Sequence, residues 1–274
     1  MIREYITYLK EIKGYSENTL IAYEKDLRAF ASYMRQRDAM ARWSNITMSD
    51  IDDYIIAARR NGKKPTTTNR ELAAISGIYN YFMRQGLMKE NPCKYESRSK
   101  IKEALPNTIP SNELAMAFIH ADGWAAIMIG ILATTGIRIQ ELLDLRWQDI
   151  DWNEETLRIN GKGNKQRIVY CRHDVLELLK PYKGKRQWVG KIFGIDQREA
   201  RAILYKALKP YCSVEHLSPH VIRHTLATEM AKNGANVTTI AKVLGHRDIR
   251  TTQKYIDMTQ MQVQRALAST NILN

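Results

Sequence analysis

Between Leu217 and Tyr255 the chain reads LSPHVIRHTLATEMAKNGANVTTIAKVLGHRDIRTTQKY, a stretch that offers His220, Arg223, His246 and Tyr255 with no carboxylate cluster beside them. Cationic or neutral donors with one phenol suit a substrate that carries negative charge, and a phosphodiester is such a substrate. Pro219 stands where a helix begins, because its missing N–H costs nothing in a first turn. His220 and Arg223, three residues apart, then share one helix face. Asn233-Gly234 ends that helix, Asn236 caps the next, and Ile240, Val243 and Leu244 give it an apolar side that stops at Gly245. His246 therefore falls just past a helix C-terminus. A further short segment after Asp248 brings Tyr255 to the same surface.

Taken singly, each residue has an ordinary explanation. A histidine near a helix start is a cap, a helical arginine is solvated, and a late tyrosine packs. His220 and His224 at i and i+4 would suit a zinc helix, but Val221 stands where the general-base glutamate of such a helix belongs. With no acidic third ligand nearby, no metal is expected.

Such residues need a scaffold, and 274 residues of ordinary composition are enough for two domains with separate cores. A formal net charge of +13 points to an anionic partner, and the excess is spread over both halves, so no basic tail explains it. Cys93, Cys171 and Cys212 are scattered and lack metal spacing, which suits a reducing cytoplasm better than a disulfide framework. The opening MIREYITYLK carries an acidic residue and no apolar run, unlike a signal peptide. The most apolar stretch, Trp124 to Ala133, is too short to span a bilayer and reads as a buried helix.

Residues 1–91 read as a small helical domain. Ile2, Tyr5, Ile6, Leu9 and Ile12 recur at helical spacing up to Gly14, and Leu20, Tyr23, Leu27, Phe30 and Met34 follow a possible Ser16 cap. Ser49 or Asp50 caps a third helix with Ile51, Tyr54, Ile55 and Ala58 inward; Leu72, Ile75, Tyr79 and Phe82 line a fourth, closed by Gly86. Residues 92–110 hold several prolines and no periodicity, as an interdomain linker does. From Ser111 onward come a helix start, the apolar helix ending at Thr135-Gly136, and a helix carrying Arg138 and Glu141 opposite Ile137, Leu142 and Leu145. TLRING and QRIVYC alternate as two strands joined by GKGNK, which puts Lys162 at a hairpin tip. Helices from about Asp174 and Asp196 lead back to Leu217.

TGIRIQELLDLRWQDID, INGKGNKQRIV, LSPHVIRHTLAT and LGHRDIRTTQKY, with the earlier GYSENTLIAYEKDLRAF and TTTNRELAAISGIYNYF, resemble the tyrosine recombinase (phage integrase) family, closest to its Xer-like members. The resemblance covers nearly the whole chain. It implies a mainly α fold with a small β-sheet: a helical core-binding domain over residues 1–91 and a mixed α+β catalytic domain over 111–274, forming a clamp around double-stranded DNA. It assigns the two family arginines to Arg138 and Arg223, the hairpin lysine to Lys162, the two active-site histidines to His220 and His246, and the nucleophile to Tyr255. Glu141 matches an acidic residue behind the first arginine. His224 matches no catalytic position and reads as structural. Arg250, Asp257 and Leu226 depart from the common pattern, and they touch packing and the setting of Tyr255 more than the chemical set.

The implied chemistry agrees with the physical need. Two arginine forks hold the charge of a phosphodiester under attack bidentately, as lysine or histidine could not. Tyr255 would give a 3′-phosphotyrosyl enzyme that stores the bond energy, so neither ATP nor another cofactor is implied. His220 would handle the phenol proton, His246 would bond the phosphate, and Lys162 would protonate the departing 5′-oxygen. The family acts as a homo-tetramer on two DNA sites through a four-way junction, a monomer without DNA being compatible. A cytoplasmic protein with no membrane partner is implied. The apolar residues after Tyr255, among them Met258, Met261, Val263 and Leu267, are expected to dock on a neighbouring protomer. A type IB topoisomerase would share the chemistry but only relax one duplex, and a non-catalytic DNA-binding protein would form no adduct.

The acid role of Lys162 is separable from simple DNA contact. General-acid help is worth roughly 10²–10⁴-fold in rate. A thiolate leaves without a proton, so Lys162→Ala should be slow on ordinary DNA and close to wild type when sulfur replaces the scissile 5′-oxygen. Equal defects on both substrates, measured in single-turnover cleavage, would refute the acid role.

Overall fold

A computed structural model of the chain describes residues 1–94, 107–161, 166–183, 190–246, 248–249 and 251–257. Contacts divide the chain into two compact units, Met1–Glu103 and Ala104–Asn274.

In the first unit, helices α1 (Ile2–Glu11), α2 (Glu17–Arg37), α3 (Met48–Arg60) and α4 (Pro65–Arg84) enclose an aromatic-rich core. Phe30 and Tyr54 meet edge to face, as do Trp43 and Phe82, and the buried Tyr79 hydroxyl donates to the Trp43 carbonyl at 3.0 Å. The cap of α3 differs from the expectation of Ser49 or Asp50. Thr47 is the N-cap, and Asp50 answers it from the third helical position, its carboxylate accepting the Thr47 N–H at 2.9 Å. The capping box wins because it satisfies two orphan N–H groups where Asp50 as sole cap would satisfy one. Ser16 does occupy the α2 N-cap position, but its hydroxyl bonds Thr19 Oγ1 rather than a backbone N–H.

The second unit is mainly helical, with α5 (Ser111–Ile119), α6 (Gly123–Thr135), α7 (Ile139–Asp144), α8 (His173–Glu177), α9 (Gln197–Leu208), α10 (Pro219–Lys232) and α11 (Val237–Leu244), and with residues 251–257 also helical. Helix α6 is buried over most of its surface and forms the middle of the core. A sheet of β1 (Ile150–Asp151), β2 (Thr156–Asn160) and β3 (Gln166–Tyr170) packs against it in antiparallel order β1-β2-β3. The short β1 was not foreseen, since two residues are too few to show an alternation. Leu157 pairs with Val169 and Ile159 with Arg167, so Arg167 lies on the sheet face that carries the buried Leu157, Ile159 and Val169. Arg138, expected on a helix with Glu141, instead stands just before α7 as its N-cap residue. Its extended backbone leaves the N–H free to reach the Glu141 carboxylate three residues on.

Glycine closes two helices in this unit. Gly136 ends α6 and Gly245 ends α11, both left-handed, with φ of 62° and 65°. A Cβ on Gly136 would come within 2.9 Å of Leu226 and Leu244, so α6 can end only where a residue without a side chain lets α10 and α11 approach. The chain entering the unit is pinned to α10 by Ile109, whose N–H donates to the buried Thr225 hydroxyl at 2.8 Å. No helix among the described residues is long and apolar enough to cross a membrane.

One ion pair staples α2 to α4. Asp26, with only 3 % of its surface exposed, accepts the Arg70 fork at 2.8 and 2.9 Å. Arg70→Ala strands that carboxylate and should lower unfolding stability by about 1–3 kcal/mol, the cost of an unpaired buried acceptor. An unchanged urea midpoint would show that water replaces the guanidinium.

Candidate active site

Helix α11 begins on Asn236, whose side chain accepts the Thr239 N–H at 2.8 Å, and ends at Gly245. Its last turn would leave backbone carbonyls without helical partners. Guanidinium groups take three in succession. Arg167 Nε donates to the Val243 carbonyl at 3.3 Å, an Arg223 terminal nitrogen to Leu244 at 2.7 Å, and an Arg138 terminal nitrogen to Gly245 at 3.4 Å. The negative end of the helix dipole thus faces a cluster of cations drawn from before α7, from β3 and from α10.

Arg223 is the buried member, 4 % exposed. Its other terminal nitrogen donates to the Gly136 carbonyl at 2.5 Å, so it bridges the ends of α6 and α11. Burial, and then the Arg138 charge, bring its pKa down to about 10, which leaves it a cation at neutral pH. Two of its five N–H groups reach these carbonyls, and the fork geometry leaves others for an anion.

Glu141 balances part of this charge. Its carboxylate accepts the Arg138 N–H at 2.8 Å, an Arg138 side-chain N–H at 2.9 Å, and the Arg167 fork at 3.0 and 2.8 Å. Burial pushes the Glu141 carboxyl up, but the Arg167 hydrogen bonds and the Arg138 N–H outweigh it and hold the pKa below its ordinary value. Gly245 is required here as well, since a Cβ would come within 2.9 Å of the Arg167 guanidinium.

The histidines surround this cluster in neutral form. His220, exposed on the first turn of α10, has its pKa lowered by partial desolvation and then by Arg223, Arg201 and Arg138. His246 lies past Gly245, where its Nδ1 meets the buried Thr252 hydroxyl at 2.8 Å; burial, then Arg223 and Arg138, bring it down to about 4. His224 is likewise brought to about 4, by burial and then by Lys254, His220 and Arg223. Its Nδ1 lies 2.5 Å from the Tyr255 hydroxyl, and Tyr255 itself is 1 % exposed. Burial raises the Tyr255 pKa against the pull of Arg223, so the phenol is protonated at neutral pH.

The residues expected to act together therefore do gather, with Arg138, Arg223, His246 and Tyr255 around the end of α11 and His220 one turn before Arg223. Lys162 lies outside the described residues, as does the segment after Asp257. His224, read from the sequence as structural, is in hydrogen-bond contact with the phenol, and Arg167 was not singled out at all. One signal was present for Arg167: in the alternating QRIVYC it shares the inward face with Val169, and a charge there needs a partner. Among the described residues no group of three or more His, Cys, Asp and Glu is placed to hold a metal ion.

Comparison with known proteins covers nearly the whole chain. The model of the phage integrase family matches residues 111–262, and that of the phage integrase N-terminal SAM-like domain matches residues 2–86. Tyrosine recombinase XerC of Listeria welshimeri is 26 % identical over 279 residues, covering 94 % of this chain and 93 % of the relative. Tyrosine recombinase XerD of Listeria monocytogenes is 28 % identical over 283 residues, covering 96 % and 95 %. In fold, the chain is similar to the XerH site-specific recombinase bound to a palindromic difH substrate, with TM-score 0.80, 18 % identity and coverage of 98 % and 84 %. It is also similar to a lambda integrase dimer bound to a COC′ core site, with TM-score 0.71, 16 % identity and coverage of 93 % and 75 %.

The Glu141 network makes stability depend on pH in a defined direction. A carboxyl whose folded pKa is depressed contributes stability above its unfolded value, about 4.3, and loses it as pH falls through the folded value. Glu141→Gln should cost about 3 kcal/mol near neutral pH, the low end for a broken buried pair because Arg138 is partly exposed. The gap from wild type, followed by urea unfolding across pH, should be constant above about pH 5 and shrink steadily as pH falls below the unfolded value of about 4.3. A gap that widens in acid would contradict the network.

Proposed function

The chain belongs to the phage integrase family, and on that premise we infer that the arginine cluster at the end of α11 is where a DNA phosphodiester is cut and rejoined. The reaction is site-specific DNA recombination through a 3′-phosphotyrosyl intermediate. The observation that supports this site most directly is that Arg138 and Arg223 sit on consecutive carbonyls of one helix end, with the Tyr255 hydroxyl held by His224, the residue after Arg223. Two guanidinium groups fixed to one rigid element reach the same small volume, and that suits the nonbridging oxygens of one phosphate.

In this reading the Tyr255 oxygen attacks phosphorus in line as the bond to the 5′-oxygen breaks. Arg138 and Arg223 hold the charge that builds on the nonbridging oxygens, and His246, a neutral donor through its second ring nitrogen, adds a bond to the same group. The phenol proton passes to the histidines, with His224 holding the hydroxyl and His220 exposed where it can hand a proton on. Lys162 supplies the proton that the 5′-oxygen takes as it leaves. The free 5′-hydroxyl of a second DNA site then attacks the phosphotyrosine, which restores Tyr255 and exchanges the strands without ATP. The helical unit is assigned to DNA binding. Two DNA sites and strand exchange through a four-way junction call for a homo-tetramer, and the fit is to a cytoplasmic protein.

Tyr255→Phe removes the attacking oxygen, and with it the hydrogen bond to His224, while keeping the buried ring. The variant should bind target DNA as wild type does and form no covalent adduct on a nicked substrate, and the wild-type adduct should survive excess chelator. An adduct in the Phe variant would displace Tyr255 as nucleophile; cleavage lost to chelator would point to metal-assisted hydrolysis instead.

A further inference from the structure

Arg138 and Glu141 taken alone form a neutral pair. Their ion pair is 2.9 Å long, and a carboxylate that close cancels most of the attraction a guanidinium has for a second anion. A phosphate-binding arginine with a private carboxylate would be a poor one. The structure contains the correction. Arg167 places both terminal nitrogens on the two oxygens of that same carboxylate, at 3.0 and 2.8 Å, in the bidentate geometry that binds carboxylates best. Two cations then share one anion, and the group of three carries one net positive charge.

Exposure decides where that charge is felt. The Arg167 side chain is 15 % exposed and Glu141 8 %, whereas Arg138 is 41 % exposed. Arg167 is also tied down by its third nitrogen on the Val243 carbonyl and by the close approach of Gly245, so it does not turn outward to an incoming ligand. The uncompensated charge is therefore presented through Arg138.

We propose that Arg167 is a positioning residue: it occupies the Glu141 carboxylate and so frees the charge of Arg138 for the scissile phosphodiester. The claim rests on the function proposed above and adds a residue to it. Arg167 does not touch DNA in this role; it acts through Glu141 on Arg138. A lysine in its place would keep a charge near Glu141 but lose the fork, and a glutamine would return Glu141 to Arg138 alone.

The test compares single-turnover adduct formation by wild type, Arg167→Lys and Arg167→Gln on two nicked DNA substrates. In one the scissile phosphate is ordinary; in the other a methylphosphonate replaces a charged nonbridging oxygen with a methyl group. On ordinary DNA the Gln variant should be slowed roughly 10²–10³-fold, the loss typical of one preorganised charge-stabilising contact, with the Lys variant in between. On the methylphosphonate, which carries one negative charge fewer in both the ground state and the transition state and so asks less of Arg138, the Gln variant should come within about tenfold of wild type, one contact's worth of binding being all that remains. A loss of the same size on both substrates would mean that Arg167 only supports the fold, and no loss on ordinary DNA would remove the idea. Should the Gln variant fail to fold by its urea midpoint, the Lys variant carries the same two-substrate comparison. If wild type forms no adduct on either substrate, the recombinase reading itself fails, and that outcome is distinct from the others.

Discussion

Helix ends are ordinarily a debt in backbone hydrogen bonding, and here that debt organises the chemistry. The carbonyls of Val243, Leu244 and Gly245 accept from Arg167, Arg223 and Arg138, residues that the chain delivers from a strand, a second helix and a loop. Each partner solves the other's problem. The carbonyls need donors, and the closely placed guanidinium groups need negative potential without a carboxylate that would cancel them. Among the described residues, only Glu141 supplies a formal negative charge to the hydrogen-bonded partners of these arginines, and two of them share it.

The same crowding of cations explains the state of the histidines. His224 and His246 are both brought to about 4 by burial and by the neighbouring arginines or Lys254, so each offers one lone pair and one N–H near neutral pH. Tyr255 is affected in the opposite sense, with burial raising it while Arg223 pulls it down. Its proton therefore stays on the phenol, and a neutral imidazole is the partner that suits a buried phenol O–H. An anion arriving among these groups would favour protonated histidines, which is the direction proton transfer from tyrosine requires.

Much of this was legible because local chemistry wrote it. Pro219 at the first turn of α10, the Asn236 cap and the left-handed Gly245 are each decided by a few neighbouring residues, and the structure has them where the sequence puts them. The apolar run of α6 and the alternation of β2 and β3 were equally plain. What stayed hidden depended on partners far along the chain. Arg167 finds Glu141 at a separation of 26 residues and Val243 at 76, and His224 finds Tyr255 at 31. The alternation of β3 puts Arg167 on the inward face but does not name its partner, and nothing local distinguishes His224 from a solvated histidine. The early placement of Arg138 on a helix failed for a smaller reason: the pattern fixed its spacing from Glu141 but not which side of the helix start it fell on.

The three-carbonyl end of α11 also limits how this protein can vary. Successive carbonyls on a helix are rotated by about 100° and advanced by about 1.5 Å. Substitution on the exposed positions Thr238, Thr239 and Lys242 leaves that spiral intact, so drift there is cheap. Insertion or deletion of one residue between Asn236 and Gly245 is different. It would turn every downstream carbonyl to a new bearing and carry His246 with it, while the arginines, anchored in other elements, stayed behind. Relatives should therefore tolerate many residue types along this helix and very few changes in its length.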